Sequence, residues 1–467
     1  MIELDKERLY AYLKETYEKN HPKSKAFYER AKKSLIGGGS HNLRLIDPFP
    51  FYDVSSRDAE ITDKDGITYI DFWQGHFANI LGHNPDIVCE ALEDLFRNRQ
   101  GLETGFPGLY QTELAEVIRR QTGAEKIRFT TSGTLASMYC ILLSKSFTGR
   151  DIVLKVGGGW HGAQPYALKG ITSMGTGGLE LMESAGLSAH IESSIVMTRF
   201  NDVEDLEDKF QRFGDRLACL IVEPFLGAGG FIFGRKDYIQ RARELTEHHG
   251  TILIFDEVIS GFRFHARGVQ SLYGIVPDLS LFGKAIGGGM PASAVAGRGD
   301  ILSLCDSSAP VDKRVKFEGG TFSAHPASMT AGVVFLNHLI KNEEKIYNKI
   351  GKLGETARAG IEKTFQGYGF NVRCTGGDQK ILPQSSLVGV NFLHDHIDRI
   401  TSPEQVWNPA QCDPVMREKI FKLAMLNEGF NIFHGYGAVS YAHSEQNIQA
   451  SLDAVDRVAQ LFLQYKK

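Results

Sequence analysis

The chain has 467 residues, a length that excludes a small peptide module and allows two or three domains. With 42% hydrophobic and 23% charged residues its composition is ordinary for a globular protein, so we expect it to fold without disulfide bonds. Lysine and arginine number 52 against 56 aspartate and glutamate, and the net charge of -4 disfavours nucleic acid or an anionic membrane as a partner.

The cysteines and the N-terminus both indicate a cytoplasmic protein. Six cysteines are scattered without a C-x-x-C pair, mostly inside apolar runs, as buried thiols are in a reducing compartment. Residues 1–20 carry acidic side chains and an apolar repeat at helical spacing, which predicts a surface helix rather than a signal peptide. Because no window approaches about 20 uncharged apolar residues, we expect no transmembrane helix.

Taken in chain order, one or two helices are expected over residues 1–55, and an alternating pattern follows from about 126 to 297. The apolar runs of that region are typical of strands buried on both faces: KIRFT, DIVLKV, LACLIVE, TILIFDE and LSLFGK. Helices are expected between them, at 134–147, 203–213 and 236–248. The alternation predicts an α/β fold whose sheet is mostly parallel, with ligands at the carboxyl ends of the strands.

The pattern changes after about residue 325. A long helix over about 326–345, a strand near SSLVGVNFL and a final helix from Ser444 indicate a smaller α+β domain. We therefore divide the chain into an N-terminal segment (1–70), a large domain (71–325) and a C-terminal small domain (326–467).

Asp256 and Lys284 are the first candidate catalytic residues, because each closes an apolar strand where an unpaired charge is costly. A structural ion pair or two solvated strand ends would also explain them. Lys284, however, precedes Ala-Ile-Gly-Gly-Gly, where a planar ligand could lie against the backbone. A desolvated lysine forms Schiff bases, and a nearby aspartate keeps a pyridine nitrogen protonated, so the pair suggests pyridoxal 5'-phosphate.

A phosphate needs a cradle, and the segment Ser132-Gly133-Thr134 between a strand and a helix offers one. Exposed amides, hydroxyl groups and the helix dipole can bind a phosphate there, although an ordinary helix cap is an equal alternative. A further turn, GGGWHG at 157–162, formally matches G-x-G-x-x-G. Trp160 and His161 are too bulky for a dinucleotide loop and Pro165 prevents a helix, so we expect Trp160 to stack on a planar ring instead.

Several motifs together resemble class III aminotransferases of the pyridoxal-phosphate fold type I. They are DEVISGFR, YGIVPDLSLFGKAIGGGMPASAVAG, SGT, the aromatic-His-Gly turn and GGTFSAHPAS. The glutamate-1-semialdehyde aminomutase branch is the most similar in appearance, and the resemblance covers almost the whole chain. It implies a mostly parallel seven-stranded sheet in a large domain, with a smaller α+β domain formed by the N- and C-terminal parts.

The resemblance implies roles around the cofactor. Lys284 would form the Schiff base and move the substrate proton, and Asp256 would hold the pyridine nitrogen. Val258 and Trp160 would cover the two ring faces, with His161 beside them. Ser132, Gly133 and Thr134 would hold the phosphate.

It also implies a shared site and a substrate pocket. Thr321, in GGTFS, would reach the phosphate of the neighbouring subunit, which implies a homodimer. Glu223 falls where family members have a carboxylate near the cofactor, although a strand-end glutamate is an equal interpretation. Arg44 would bind the substrate carboxylate. Trp73 would line the pocket, unless it is an ordinary core aromatic.

Departures from the aminomutase pattern bear on the substrate. Leu135 stands where that pattern has glutamate, and Trp160 stands where tyrosine is usual. Gly435, in HGYGAVSYAH, replaces the carboxylate expected to pair with Arg44, and the loop at 170–188 differs from the serine-bearing gating loop. We therefore expect an aminotransferase that moves an amino group from an amino acid, β-amino acid or ω-amine to a separate keto or aldehyde acceptor.

The sequence is also compatible with other functions. Aminomutase, racemase or decarboxylase chemistry would use the same cofactor and differ only in the bond broken or the site of reprotonation. A nicotinamide-dependent dehydrogenase using GGGWHG, and a non-catalytic cofactor-binding regulator, are more distant candidates. We expect no metal, since His394-Asp395-His396 and the pair His248-His249 lack any accompanying ligand motif.

Overall fold

A computed structural model gives the secondary structure of the chain and describes residues 2–171 and 178–467. Its strands, in chain order, are β1 (Asp53–Arg57), β2 (Glu60–Asp63), β3 (Thr68–Asp71), β4 (Lys126–Thr130), β5 (Ile152–Val156), β6 (Ile195–Thr198), β7 (Leu217–Val222), β8 (Phe225–Leu226), β9 (Ile232–Phe233), β10 (Ile252–Glu257), β11 (Leu279–Phe282), β12 (Ser293–Gly297), β13 (Val372–Thr375), β14 (Leu387–Phe392), β15 (Phe430–Asn431) and β16 (Gly437–Ala438).

Helices surround and connect these strands. They are α1 (Lys6–Asn20), α2 (Pro22–Ala31), α3 (Gln74–Phe77), α4 (Asp86–Arg97), α5 (Leu109–Thr122), α6 (Gly133–Thr148), α7 (Ala189–Ser193), α8 (Val203–Phe213), α9 (Lys236–His249), α10 (Gln270–Tyr273), α11 (Gly299–Leu302), α12 (Pro326–Lys341), α13 (Glu343–Gly367), α14 (Glu404–Trp407), α15 (Lys422–Asn427) and α16 (Glu445–Leu463). A π-helical segment, Met416–Phe421, leads directly into α15. Among the helices that the structure describes, none is both long and apolar enough to span a membrane.

The central sheet has seven strands in the order β4-β12-β11-β10-β7-β5-β6. β12 runs antiparallel to both of its neighbours, and the other neighbouring pairs are parallel. Every residue of β5, β7, β10 and β11 is buried, as expected for apolar runs in a sheet covered on both faces. The predicted α/β fold with a mostly parallel sheet of fold type I is confirmed.

Helices cover the two faces of this sheet, and alternate residues of each strand point to opposite faces. On one face Cys140 of α6 packs in a cluster with Cys219 and Ile254 of the strands. On the other face α8 and α9 pack on side chains such as Leu220 and Phe255. Alternate residues of each strand therefore enter two separate cores, which fixes the register of the sheet.

The register brings the carboxyl ends of three strands to one edge. Asp256 of β10 pairs with Leu281 of β11, and Phe255 pairs with Val222 of β7. The residues that end or follow these strands therefore lie side by side, as ligand-binding groups do in open parallel sheets.

The N- and C-terminal parts of the chain pack together. β15 pairs in parallel with β3 in a sheet of order β1-β2-β3-β15, and α1 packs against α15. β13, β14 and β16 form a further antiparallel sheet, on which α13 packs. The proposed boundaries at residues 70 and 325 stay a prediction.

The C-terminal helices differ in one detail from their predicted extent. The helix expected over about 326–345 ends at Lys341, and α13 begins at Glu343. Asn342, with φ -117°, interrupts the helical path, and its side-chain amide donates to the carbonyl of His338 at 2.9 Å. Side-chain bonds of this kind compete with helix continuation. The last helix starts as predicted, with Ser444 as its N-cap.

Candidate active site

Glu223, Asp256 and Lys284 meet at the carboxyl edge of the central sheet. Glu223 follows β7, Asp256 lies in β10 and Lys284 follows β11 after one glycine. All three line a cavity of about 150 Å³, whose other walls are Gly133, Thr134, Trp160, His161, Gly162, Val258 and Ile259. The structure thus brings together most of the residues that the sequence singled out for a cofactor.

Asp256 is held in place by two hydrogen bonds. Its side chain is 4% exposed; Oδ2 lies 2.8 Å from Nδ1 of His161, and Oδ1 accepts from the backbone N–H of Val258 at 3.0 Å. Because a carboxylate only accepts hydrogen bonds, Nδ1 of His161 carries the proton of the neutral imidazole. Burial lowers the pKa of His161 although Asp256 opposes the shift. The carboxylate therefore faces the cavity in a fixed orientation.

Lys284 combines an unusual backbone with a shifted pKa. Its φ of +46° is in the left-handed region, which a non-glycine residue adopts only where the surroundings require it. Burial lowers the pKa of the Lys284 amine, while the negative charges of Asp256 and Glu223 oppose the shift. A larger fraction of neutral amine is thus available as a nucleophile than for an exposed lysine.

The first turn of α6 contributes Gly133 and Thr134 to the wall of the cavity. Ser132 is the N-cap of this helix, and its Oγ accepts from the N–H of Leu135 at 3.4 Å. The N–H groups of Gly133 and Thr134 have no partner within the helix, because the first turn has none to offer. A Cβ atom added at Gly133 would lie 3.1 Å from Cγ2 of Val258, so glycine permits this close approach. The turn offers free donors and the positive end of the helix dipole.

Trp160 and Glu223 are linked at the mouth of the same cavity. The backbone N–H of Trp160 donates to Oε1 of Glu223 at 2.7 Å, and the N–H of Gly227 donates to Oε2 at 2.9 Å. Burial, followed by the charge of Asp256, raises the pKa of Glu223 above its ordinary value. The Trp160 ring is 40% exposed, and no helix begins in residues 157–164, unlike in a dinucleotide-binding loop.

Arg44 and Trp73 line a second, larger cavity of about 330 Å³. Its other walls are Ile46, Pro50, Phe51, Asp53, Ser56, Ile61, Asp71, Gly75, His76, His83, Lys422 and Asn431. Trp73 stacks on Phe433 with ring centroids 4.8 Å apart. Among the described residues no ion pair within 4.0 Å involves Arg44, whose side chain is therefore available to a ligand.

His76 lines the second cavity and lies within range of the charge of Lys284, and no motif in the sequence predicted it. Burial, helped by the positive charge of Lys284, lowers the pKa of His76 to about 3. Its helix α3 packs against the turn Lys284–Gly287. Four consecutive residues of α3 have φ between +48° and +70°, which is a left-handed turn. A left-handed backbone is energetically unfavourable for residues other than glycine, and Gly75 was the only residue in the sequence that indicated this turn.

Other sequence-predicted positions lie away from the first cavity. Thr321 lies on an exposed turn before α12. Gly435 has φ +83°, and a Cβ atom there would lie 2.6 Å from the carbonyl oxygen of Val390, so this position has no room for a carboxylate. Of the loop at 170–188, residues 172–177 lie outside the described residues.

Comparison with known proteins gives the family. Residues 46–377 match the model of aminotransferase class III. The glutamate-1-semialdehyde 2,1-aminomutase of Methanosphaera stadtmanae is 32% identical over 438 residues, covering 93% of this chain and 97% of that one. An omega-transaminase from Sphaerobacter thermophilus superposes with a TM-score of 0.83 at 29% identity, covering 94% of this chain and 97% of that one. A transaminase with PLP bound has a TM-score of 0.82 and 27% identity, with coverage of 95% and 99%.

The chain therefore belongs to the class III aminotransferase family. It is an enzyme of the transaminase or aminomutase type that uses pyridoxal 5'-phosphate and acts on small amines.

Proposed function

We propose that this class III enzyme is an aminotransferase that moves an amino group between two separate molecules, an amino acid or amine donor and a keto or aldehyde acceptor. The observation that carries the proposal is the backbone at Gly435, which leaves no room for a carboxylate that could pair with Arg44. Arg44 is then free to bind the carboxylate of each substrate in turn, through its bidentate geometry.

The donor set of the 150 Å³ cavity fits the cofactor. The first turn of α6, with Ser132, Gly133 and Thr134, offers N–H and hydroxyl donors to a phosphate. Lys284 offers an amine to an aldehyde, and Asp256 offers a fixed carboxylate to a pyridine nitrogen. When bound, the cofactor supplies an electron sink for the negative charge that develops on the substrate carbon.

The side chains of the chain itself then have distinct tasks. Nζ of Lys284 would act as the base that takes the proton from the substrate carbon and later releases it. Asp256 keeps the ring nitrogen protonated, and His161 holds Asp256 in orientation. Trp160 and Val258, which line this cavity, would hold the ring of the cofactor, and Glu223 fixes the Trp160 backbone. Trp73, which lines the second cavity, would provide an apolar contact to the substrate.

A homodimer with shared active sites is part of the proposal. Phe106, Leu109 and Phe322 are 84%, 82% and 61% exposed, and a dimer interface would cover such apolar side chains. Leu109 opens α5, Phe322 precedes α12, and these two helices pack against each other. Thr321 is adjacent to Phe322 and would lie in such an interface, where the resemblance to the family implies that its hydroxyl is near the phosphate of the neighbouring subunit.

An intramolecular aminomutase is the second candidate, because relatives of this chain carry that name at 32% identity over nearly the full length. The two functions differ in what becomes of the amino group. An aminomutase keeps it on the same carbon skeleton, whereas an aminotransferase leaves it on the enzyme until an acceptor arrives.

A single-turnover experiment separates the candidates. The cofactor-loaded enzyme is mixed with one amine donor at a time, without any keto acid, and its visible absorbance is followed. An aminotransferase loses the absorbance of the lysine-bound cofactor and recovers it only when a keto acid is added. Spontaneous recovery, together with a rearranged product, would overturn the proposal in favour of an aminomutase.

A further inference from the structure

Lys422 is a second cation in the cavity that contains Arg44. It opens α15, directly after the π-helical segment Met416–Phe421, whereas Arg44 ends the 3-10 turn Asn42–Arg44 near the N-terminus. Both side chains line the same 330 Å³ cavity, a volume at the small end of ligand sites. Two positive groups from distant parts of the chain therefore face one small space.

The ammonium of Lys422 lies over two aromatic rings and, among the described residues, forms no ion pair within 4.0 Å. Its Nζ lies 4.9 Å from the ring centroid of Phe433 and 5.6 Å from that of Trp73. Burial lowers its pKa to about 8, and the charge of Glu418 opposes the shift. The rings fix the position of the charge, and no carboxylate of the described residues forms an ion pair with it.

Glu418, whose charge acts on Lys422, and Asp71, which lines the cavity, are both engaged by other groups. Oε1 of Glu418 accepts from Nε of Arg417 at 2.6 Å and lies 3.1 Å from Nδ1 of His434. Both oxygens of Asp71 are occupied, with Nε2 of His83 at 2.7 Å and the amide of Asn431 at 2.7 Å.

The remaining charged group of the cavity, Asp53, is exposed at its rim. Among the described residues it forms no ion pair within 4.0 Å with Lys422 or Arg44. His76, the neighbour of Lys284, is kept neutral by burial. The two cations thus outnumber the unengaged acids on the inner walls of the cavity.

We propose that Lys422 binds a second acidic group of the substrate, so that this enzyme acts on amino acids that carry a further carboxylate in the side chain. The inference rests on the proposed function, in which Arg44 binds one carboxylate while the amine reaches Lys284. Lys422 acts as a specificity-determining residue: its point charge recognises the other end of a small dicarboxylate. An uncharged side chain at that end would leave the ammonium desolvated and unpaired.

The first test measures binding without turnover. Titration calorimetry on the cofactor-loaded protein compares glutarate with its monoamide, which has the same shape and one charge fewer. Glutarate is expected to bind at least about tenfold more tightly, and the replacement Lys422→Met is expected to remove that difference. Lys419→Met is the matched control, because Lys419 lies three residues before Lys422 but is exposed and paired with Asp47 at 3.0 Å.

Two results of this titration would overturn the inference. One is equal binding of glutarate and its monoamide by the unchanged protein, and the other is an equal loss in the Lys422→Met and Lys419→Met variants. Should Lys422→Met not fold, Lys422→Gln replaces it, and Lys422→Arg is expected to keep the preference for glutarate.

The second test separates this inference from the proposed function. Conversion of the cofactor by glutamate and glutamine, and by aspartate and asparagine, is measured in single turnover. We expect the acid of each pair to react at least about tenfold more efficiently, and Lys422→Met to abolish that ratio. If uncharged amino acids react as well as the acids, the substrate class is wrong and the aminotransferase stands. If glutarate binding depends on Lys422 but no donor converts the cofactor, the proposed function fails instead.

Discussion

Nδ1 of His161 lies 2.8 Å from Oδ2 of Asp256, and both side chains are almost completely buried. The pair joins the turn after β5 to the end of β10, across the central sheet. Since the other carboxylate oxygen accepts from the Val258 backbone, Asp256 has no freedom to rotate. This arrangement suits a group whose negative charge must stay at one point of a cavity.

The first prediction concerns that charge. Asp256→Asn keeps the size of the side chain and removes its charge, so kcat/KM is expected to fall by about 100-fold or more while the cofactor still binds through Lys284. His161→Gln disturbs only the orientation of Asp256 and is expected to lower kcat/KM by about tenfold. Steady-state kinetics and the visible spectrum of each variant check both statements. An Asp256→Asn enzyme with unchanged kinetics would contradict the assigned role.

The second prediction concerns Lys284. Lys284→Ala removes the amine at the edge of the sheet, so the visible absorbance of the lysine-bound cofactor and the turnover are both expected to disappear. Lys352→Ala is the control, since that lysine is 69% exposed and its ion pair with Glu445 is on the surface. A visible spectrum unchanged by Lys284→Ala would show that another amine holds the cofactor.

Five of the seven strands of the central sheet could be predicted from the sequence, and β6 and β12 could not. KIRFT coincides with β4, and the helix predicted at 134–147 corresponds to α6, Gly133–Thr148. Strands that are buried on both faces appear in the sequence as continuous apolar runs. Glycine-rich segments at the ends of these runs indicate the turns that surround a site. Asp256 and Lys284 stand out for the same reason, because charges at the ends of such runs are rare.

The wall of the second cavity could not be predicted in this way. His76 lies there because a left-handed turn, with φ of +59° at this residue, carries it towards Lys284. Lys422 lies there because a π-helical segment precedes it and Trp73 stacks on Phe433 below it. Both positions depend on packing between distant parts of the chain, which no local pattern of residues records.

The third prediction concerns the pH dependence of stability at His76. An ordinary histidine in the unfolded chain has a pKa near 6.5, whereas the pKa of His76 in the folded protein is lowered to about 3. Between pH 7 and pH 5 the unfolded chain therefore takes up a proton that the folded protein does not. Stability is lost as the pH falls, by about 1 to 2 kcal/mol over this interval.

His76→Asn tests this contribution, because asparagine tolerates a positive φ and does not titrate in this range. Urea unfolding of the cofactor-free protein at pH 7 and pH 5 gives the free energy of unfolding of each form. Between pH 7 and pH 5 the free energy of unfolding of the unchanged protein is expected to fall by about 1 to 2 kcal/mol more than that of the variant. Equal losses would mean that His76 is accessible to protons in the folded state.

The fourth prediction concerns the exposed apolar side chains that the proposed dimer would cover. Leu109 is 82% exposed at the start of α5, where a charge would remain solvated in a monomer but would be buried in a dimer. Leu109→Glu is therefore expected to leave the fold intact and to shift the sedimentation coefficient from that of a dimer to that of a monomer.

Cofactor affinity provides a second measure of the same interface. If Thr321 donates to a phosphate across it, Thr321→Val is expected to weaken cofactor binding by about tenfold without changing the oligomeric state. Leu109→Glu is expected to weaken binding as well, because each site then lacks the hydroxyl of its neighbour. Thr321→Ser, which keeps the hydroxyl group, is the matched control. A monomeric Leu109→Glu protein that binds the cofactor as tightly as the unchanged protein would show that each chain completes its own site.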